Sequence, residues 1–101
     1  MSAHLVCPYR GGMTVFLVFR HLPGVTRDQY SAAQRAVADV IGSASQQIKT
    51  RYLGGFFLPA SARAICVFQA GSVADVEAVN EQANVPFTEV VAALDLRVSG
   101  P

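Results

Sequence analysis

The stretch Thr14-Val15-Phe16-Leu17-Val18-Phe19-Arg20 constrains the fold more than any other part of the chain. A β-strand sends successive side chains to opposite faces. Here both sets are apolar: Phe16 and Val18 on one face, Val15, Leu17 and Phe19 on the other. β-Branched and aromatic residues favour the pleated conformation, and a strand apolar on both faces must be covered on both. With 101 residues the chain makes one domain. Its composition, 51% hydrophobic and 15% charged against roughly 25% charged in an average domain, holds more apolar surface than one small core consumes. Self-association is expected.

The rest of the chain supplies the partners of this strand. Residues 1–12 carry Pro8, Gly11 and Gly12 and lack periodicity, so they read as an N-terminal extension to a domain spanning 13–98. Pro23-Gly24 ends the strand. Thr26-Arg27-Asp28-Gln29 has the form of a capping box, and Tyr30, Ala33, Val37, Val40, Ile41 and Ala44 then recur at helical spacing, with Gln34 away from the centre of the stripe. A second strand is expected over Ile48 to Phe57, bent or bulged at Gly54-Gly55. A turn at Pro59 to Ser61 leads to a third strand, Ala64 to Gln69. Ser72 and Asp75 mark another helix start, whose buried side is Val73, Val76, Val79 and Ala83 and whose end is Asn84, a residue that tolerates the left-handed conformation. The alternation of Leu94, Leu96 and Val98 with Asp95 and Arg97 suggests a last strand over Ala93 to Val98.

The order β-α-β-β-α-β is that of an α+β, ferredoxin-like domain, a four-stranded antiparallel sheet with two helices on one face. The other face is then uncovered. Two chains packed sheet against sheet, as in dimeric α/β barrels, would bury it, so a homodimer is expected.

Arg20-His21-Leu22-Pro23-Gly24-Val25-Thr26, Arg51-Tyr52-Leu53, Cys66-Val67-Phe68-Gln69-Ala70 and Ala83-Asn84-Val85-Pro86-Phe87 together resemble a family of small bacterial domains whose named members are dimeric, ferredoxin-like nickel-binding proteins. The resemblance runs from Met13 to Leu96. It implies the same fold, a homodimer, and nickel or another divalent transition metal as cofactor. The chain departs from the family's pattern where an acidic residue is usual: Phe19 precedes the Arg-His pair, Ala60-Ser61-Ala62 replaces a charged turn, and Gln69 stands where glutamate is frequent.

Nickel(II) takes imidazole and carboxylate ligands, several of them converging on one point. His21, at the end of the first strand, is the first candidate ligand, with Glu77 or Glu81 from the second helix or a carboxylate across the dimer as its companions. A histidine that ends a strand by bonding a loop carbonyl is the alternative. A separate candidate is His4. If Met1 is removed, Ser2-Ala3-His4 offers an amine, two amides and an imidazole to Cu(II) or Ni(II) in square-planar geometry. A different class of function places a small apolar ligand in a chamber between sheet and helices, lined by Phe16, Val18, Tyr52, Phe56, Cys66 and Phe68, with His21 as acid or base. That is a binding protein or cofactor-independent enzyme by analogy of fold alone. A plain interaction module is the third reading.

Several classes are disfavoured. A net charge of +1 with scattered basic residues lacks the basic patch of a nucleic-acid binder. Apolar runs as short as Val15 to Phe19 fall far below the ~20 residues that span a bilayer. The N-terminus lacks the order of a signal peptide, which makes a cytoplasmic location the expectation. Cys7 and Cys66 do not form a disulfide framework, and neither a Ser/His/Asp nor a Cys/His set can be assembled.

Overall fold

Thr26 and Gln29 cap each other as their spacing predicts. The Gln29 amide donates to Thr26 Oγ1 at 3.1 Å and the Thr26 amide to Gln29 Oε1 at 2.9 Å, so the helix begins at once after the Pro23-Gly24 turn. The computed structural model describes residues 13–44 and 50–94. In chain order these form β1 (Thr14–His21), α1 (Arg27–Ala44), β2 (Thr50–Leu58), a 3-10 turn (Pro59–Ser61), β3 (Arg63–Ala70), α2 (Val73–Gln82) and β4 (Glu89–Ala93). All neighbouring strands are antiparallel, in the order β2-β3-β1-β4. This is the ferredoxin-like α+β arrangement with an open, four-stranded sheet. The expectations for His4 and for residues 95–98 lie outside the described residues.

Ser72 caps α2, accepting from the Asp75 amide at 3.2 Å. The far end turns at Asn84, whose φ of 61° is the left-handed conformation that asparagine adopts more readily than most residues. The last strand differs from expectation. β4 runs over Glu89–Ala93, four residues upstream of the expected start. Thr88 explains the difference: its amide and its hydroxyl both donate to Phe19 O, at 2.7 and 3.0 Å, so pairing with β1 begins immediately after the Val85-Pro86-Phe87 connection.

β1 lies between β3 and β4, and its even-numbered side chains enter the core. Phe16, Val18, Cys66 and Phe68 meet Tyr30 and Val37 of α1 and Val76 and Val79 of α2. Its odd-numbered side chains, Val15, Leu17, Phe19 and His21, share the face that no helix among the described residues covers with Arg63, Ile65 and Val67 of β3 and Glu89 and Val91 of β4; Val15 is nonetheless buried there, Leu17 and Phe19 half-buried and His21 exposed. β2 changes parity on the way. A register shift between Tyr52 and Gly54 leaves Leu53 unpaired, so Tyr52 faces the helices but so does Phe57, whose ring stacks on Tyr30 with centroids 5.1 Å apart. Phe56 is thereby turned outward, 66% exposed.

Gly55 sits where this parity change brings β2 close to α1. A Cβ there would collide with Tyr30 Oη and lie 3.0 Å from Ile65 O and 3.1 Å from Cys66 Sγ. Gly42, on the exposed side of α1, has nothing within 4 Å of the same position. Gly55→Ala should therefore lower stability by about 1–3 kcal/mol through overpacking, whereas Gly42→Ala should raise it by about 1 kcal/mol through helix propensity. Urea unfolding of both variants measures the contrast.

Candidate functional site

His21 ends β1 on the uncovered face, exposed and opposite Arg63 of β3. Phe19, two residues earlier on the same face, pairs with Ile65 on one side and Glu89 on the other. Glu89 is thus the diagonal cross-strand neighbour of His21, a relation that separates such positions by ~7–8 Å and keeps long side chains within reach of each other. His21, Arg63, Glu89 and Ser61 line one groove with the apolar walls of Phe19 and Ile65. It encloses about 470 Å³, within the ~300–1,000 Å³ range of small-ligand sites.

Glu77 and Glu81 do not join His21. They belong to α2, which packs against the opposite side of the sheet, and Glu81 instead borders an open groove with Asn84, Pro86 and Phe87. The carboxylate that does share the groove, Glu89, was not singled out by sequence because the last strand was expected further on. Connection length was the signal available. A strand starting at Ala93 needs an eight-residue link, Val85 to Ala92, after the helix cap, whereas ~2–6 residues is the norm for such connections.

The imidazole and carboxylate pair is chemically suited to nickel or a similar divalent ion. The described residues of one chain offer this pair in the groove. Among the described residues, no three His, Cys, Asp or Glu side chains gather into a group that could hold a metal ion.

The proposed apolar chamber is closed. Phe16, Val18, Cys66 and Phe68 are core residues, and the space bounded by Arg20, Tyr30, Gln34, Val37, Tyr52 and Cys66 has no room for a water. Phe56 lies on the other face because of the bulge in β2. What occupies the interior is a hydrogen-bonded cluster. Tyr30 Oη lies 3.2 Å from Cys66 Sγ, Tyr52 Oη donates to the same sulfur at 3.8 Å, and Gln34 Nε2 donates to Tyr52 Oη at 2.7 Å. Gln34, expected away from the apolar stripe, is half-buried to make this bond. Burial pushes the Tyr52 hydroxyl up to about 12, aided by the Cys66 thiol and opposed by the Gln34 bond. Burial raises Tyr30 further, the Cys66 thiol adding to the effect.

Fold and face together define a small ferredoxin-like domain in which no described helix covers one side of the sheet and a histidine and a glutamate stand at the end of that side. A family described as nickel responsive protein SCO4226-like matches residues 16–92, and the chain belongs to that family. The crystal structure of SCO4226 from Streptomyces coelicolor A3(2) is similar at 21% identity, with a TM-score of 0.66 over 85% of this chain and 99% of that one. A search of curated proteins finds no match. No helix among the described residues is long and apolar enough to cross a membrane.

The tyrosines give the fold an alkaline limit. Both hydroxyls are raised above the ordinary value of 10.0, so the native state holds their protons more tightly than the unfolded chain does. Their contribution is fully present below pH 10 and is lost as pH rises toward and beyond 12. The urea midpoint should fall across this window, and Tyr30→Phe should flatten the fall while lowering stability at neutral pH by ~1 kcal/mol for the lost bond to Cys66.

Proposed function

We propose that the protein binds nickel(II), or another divalent transition metal, at the His21 end of its uncovered sheet face, between two copies of the chain. The observation that carries this reading is the diagonal placement of His21 and Glu89 in one groove. The family's description as nickel responsive favours nickel among the ions that imidazole and carboxylate accept. Two donors are too few for an ion that takes four to six. A second copy packed on the same face would bring another pair and also cover Leu53, Phe56, Leu58 and Val91, each more than a third exposed in one chain. When bound, the ion would be held by Nδ1 or Nε2 of His21 and the Glu89 carboxylate, leaving Arg63 in the same groove to offset the negative charge of an anionic co-ligand.

Calorimetric titration with Ni(II) tests the site, using full-length protein carrying His4→Ala so that the N-terminal motif is silent. The expected stoichiometry is one ion per pair of chains. His21→Ala and Glu89→Gln should each weaken binding at least about tenfold. Binding unaffected by His21→Ala would overturn the assignment.

Sedimentation equilibrium tests the pairing. The protein should sediment at twice the mass of one chain, and Phe56→Glu, which adds a charge at a position that costs the monomer little, should shift it toward one. A monomeric wild type at micromolar concentration would remove the second copy from the proposal.

A further inference from the structure

Arg20 is the sequence neighbour of His21, but its side chain leaves β1 on the opposite face and is 3% exposed. The guanidinium meets neutral oxygens there: Nη1 donates to Pro86 O at 3.1 Å and Nη2 to Asn80 Oδ1 at 2.6 Å. Asn80 is itself fully buried and held in place, its Nδ2 donating to Val76 O at 2.7 Å within α2. A cation is costly to bury and demands a strict set of partners, so the arrangement joins three elements rigidly: β1, α2 and the link from α2 to β4.

Its consequence falls on Glu89. β4 is a five-residue strand with one neighbour among the described strands, and its two faces differ little: Glu89, Val91 and Ala93 on one, Val90 and Ala92 on the other. Such a pattern specifies register weakly, and a slip of one residue moves every side chain to the other face. Glu89 would then point into the helix layer and Val90 toward His21. Register must come from outside the strand. Pro86 is tied to the Arg20 side chain, and two residues later Thr88 is tied by amide and hydroxyl to Phe19 O. The segment entering β4 is thus pinned at two points to consecutive residues of β1.

We infer that Arg20, with Asn80 behind it, is a positioning residue for the His21 and Glu89 pair: it sets the register of β4 and so decides that the carboxylate shares the face of the imidazole. This rests on the metal-binding reading for its functional meaning but not for its geometry. An adjacent pair, Arg20-His21, then has a division of labour in which one side chain binds outward and the other aligns inward.

The test uses full-length protein with His4→Ala and two further variants. Arg20→Lys keeps the charge but loses the planar fork that reaches two acceptors, and Thr88→Val, at an exposed position, removes the hydroxyl bond while sparing the core. In metal-free protein, amide-to-amide and Cα-proton nuclear Overhauser contacts between Phe19 and Glu89 report the register directly. In Arg20→Lys these contacts should weaken or be replaced by Phe19 to Val90 contacts, while those between β1 and β3 persist, and Ni(II) affinity should fall at least tenfold. Thr88→Val should show the same changes to a smaller degree, a few-fold in affinity, and decides the matter if Arg20→Lys does not fold. Arg20→Lys with wild-type contacts and affinity would overturn the inference, as would a loss of affinity with the register intact. Should the parent protein bind no nickel, the metal reading fails alone, and the contacts between Phe19 and Glu89 still decide what Arg20 does.

Discussion

Everything in this domain is referred to β1. It is flanked by β3 and β4, it carries core residues on one face and uncovered apolar residues on the other, and it ends in the pair Arg20-His21 with its two side chains on opposite sides of the sheet. Because strand side chains alternate without exception over this length, burying Phe16 and Val18 under the helices compels Val15, Leu17, Phe19 and His21 to face away from them. The uncovered face is therefore not an accident of composition. It follows from filling the core with the even-numbered set, and the candidate ligand inherits its position from the same parity.

The second strand is where alternation is interrupted, and the interruption has chemical content. The unpaired Leu53 lets β2 send Tyr52 and then Phe57 to the same side. Tyr52 reaches Cys66 and Gln34, and Phe57 stacks on Tyr30, whose hydroxyl in turn needs the space above Gly55. A polar cluster inside a small core is stable only when its members satisfy one another. Here the Gln34 amide donates to the Tyr52 hydroxyl, which with the Tyr30 hydroxyl meets the Cys66 thiol, and the closed packing around them uses the volume that a ligand chamber would have required. In this chain the inner side of the sheet is packed solid, and the groove at His21 and Glu89 opens on the outer side.

Much of this was legible in the sequence, and the reason differs from element to element. Thr26 with Gln29, Ser72 with Asp75, and Asn84 are local signals, because caps and left-handed residues are decided within a few residues of themselves. Gly54-Gly55 signalled the bulge, though not which ring would be turned outward, since parity after a bulge depends on which residue is left unpaired. The strand at Glu89–Ala93 was not legible because Leu94, Leu96 and Val98 offer a cleaner alternation than its own residues. An edge strand held by Thr88 and Arg20 needs little alternation of its own, so the pattern that ordinarily marks a strand was weakest where the tertiary bonds were strongest. Glu89 was hidden with it, and the choice of Glu77 and Glu81 followed from knowing a helix but not the face of the sheet it covers.

The apolar residue before the Arg20-His21 pair has a spatial consequence. Phe19, Arg63 and Ile65 surround His21 on the uncovered face, and an apolar side chain at 19 leaves the carboxylate of Glu89, its cross-strand partner, as the acid next to the histidine. A ligand pair split across two strands binds only when the strands are in register, whereas a pair on one strand needs no such condition. In the proposed site the acid on β4 meets the histidine on β1 only through the fold, with Arg20 and Thr88 tying down the segment that leads into β4. For an ion at the proposed site, excluding water would strengthen its hold, and the apolar row beside it, from Phe56 through Ile65 to Phe19, would do so once covered. On the proposed reading, metal binding and chain pairing are one requirement, set by the two-sided apolar strand that opens the described fold.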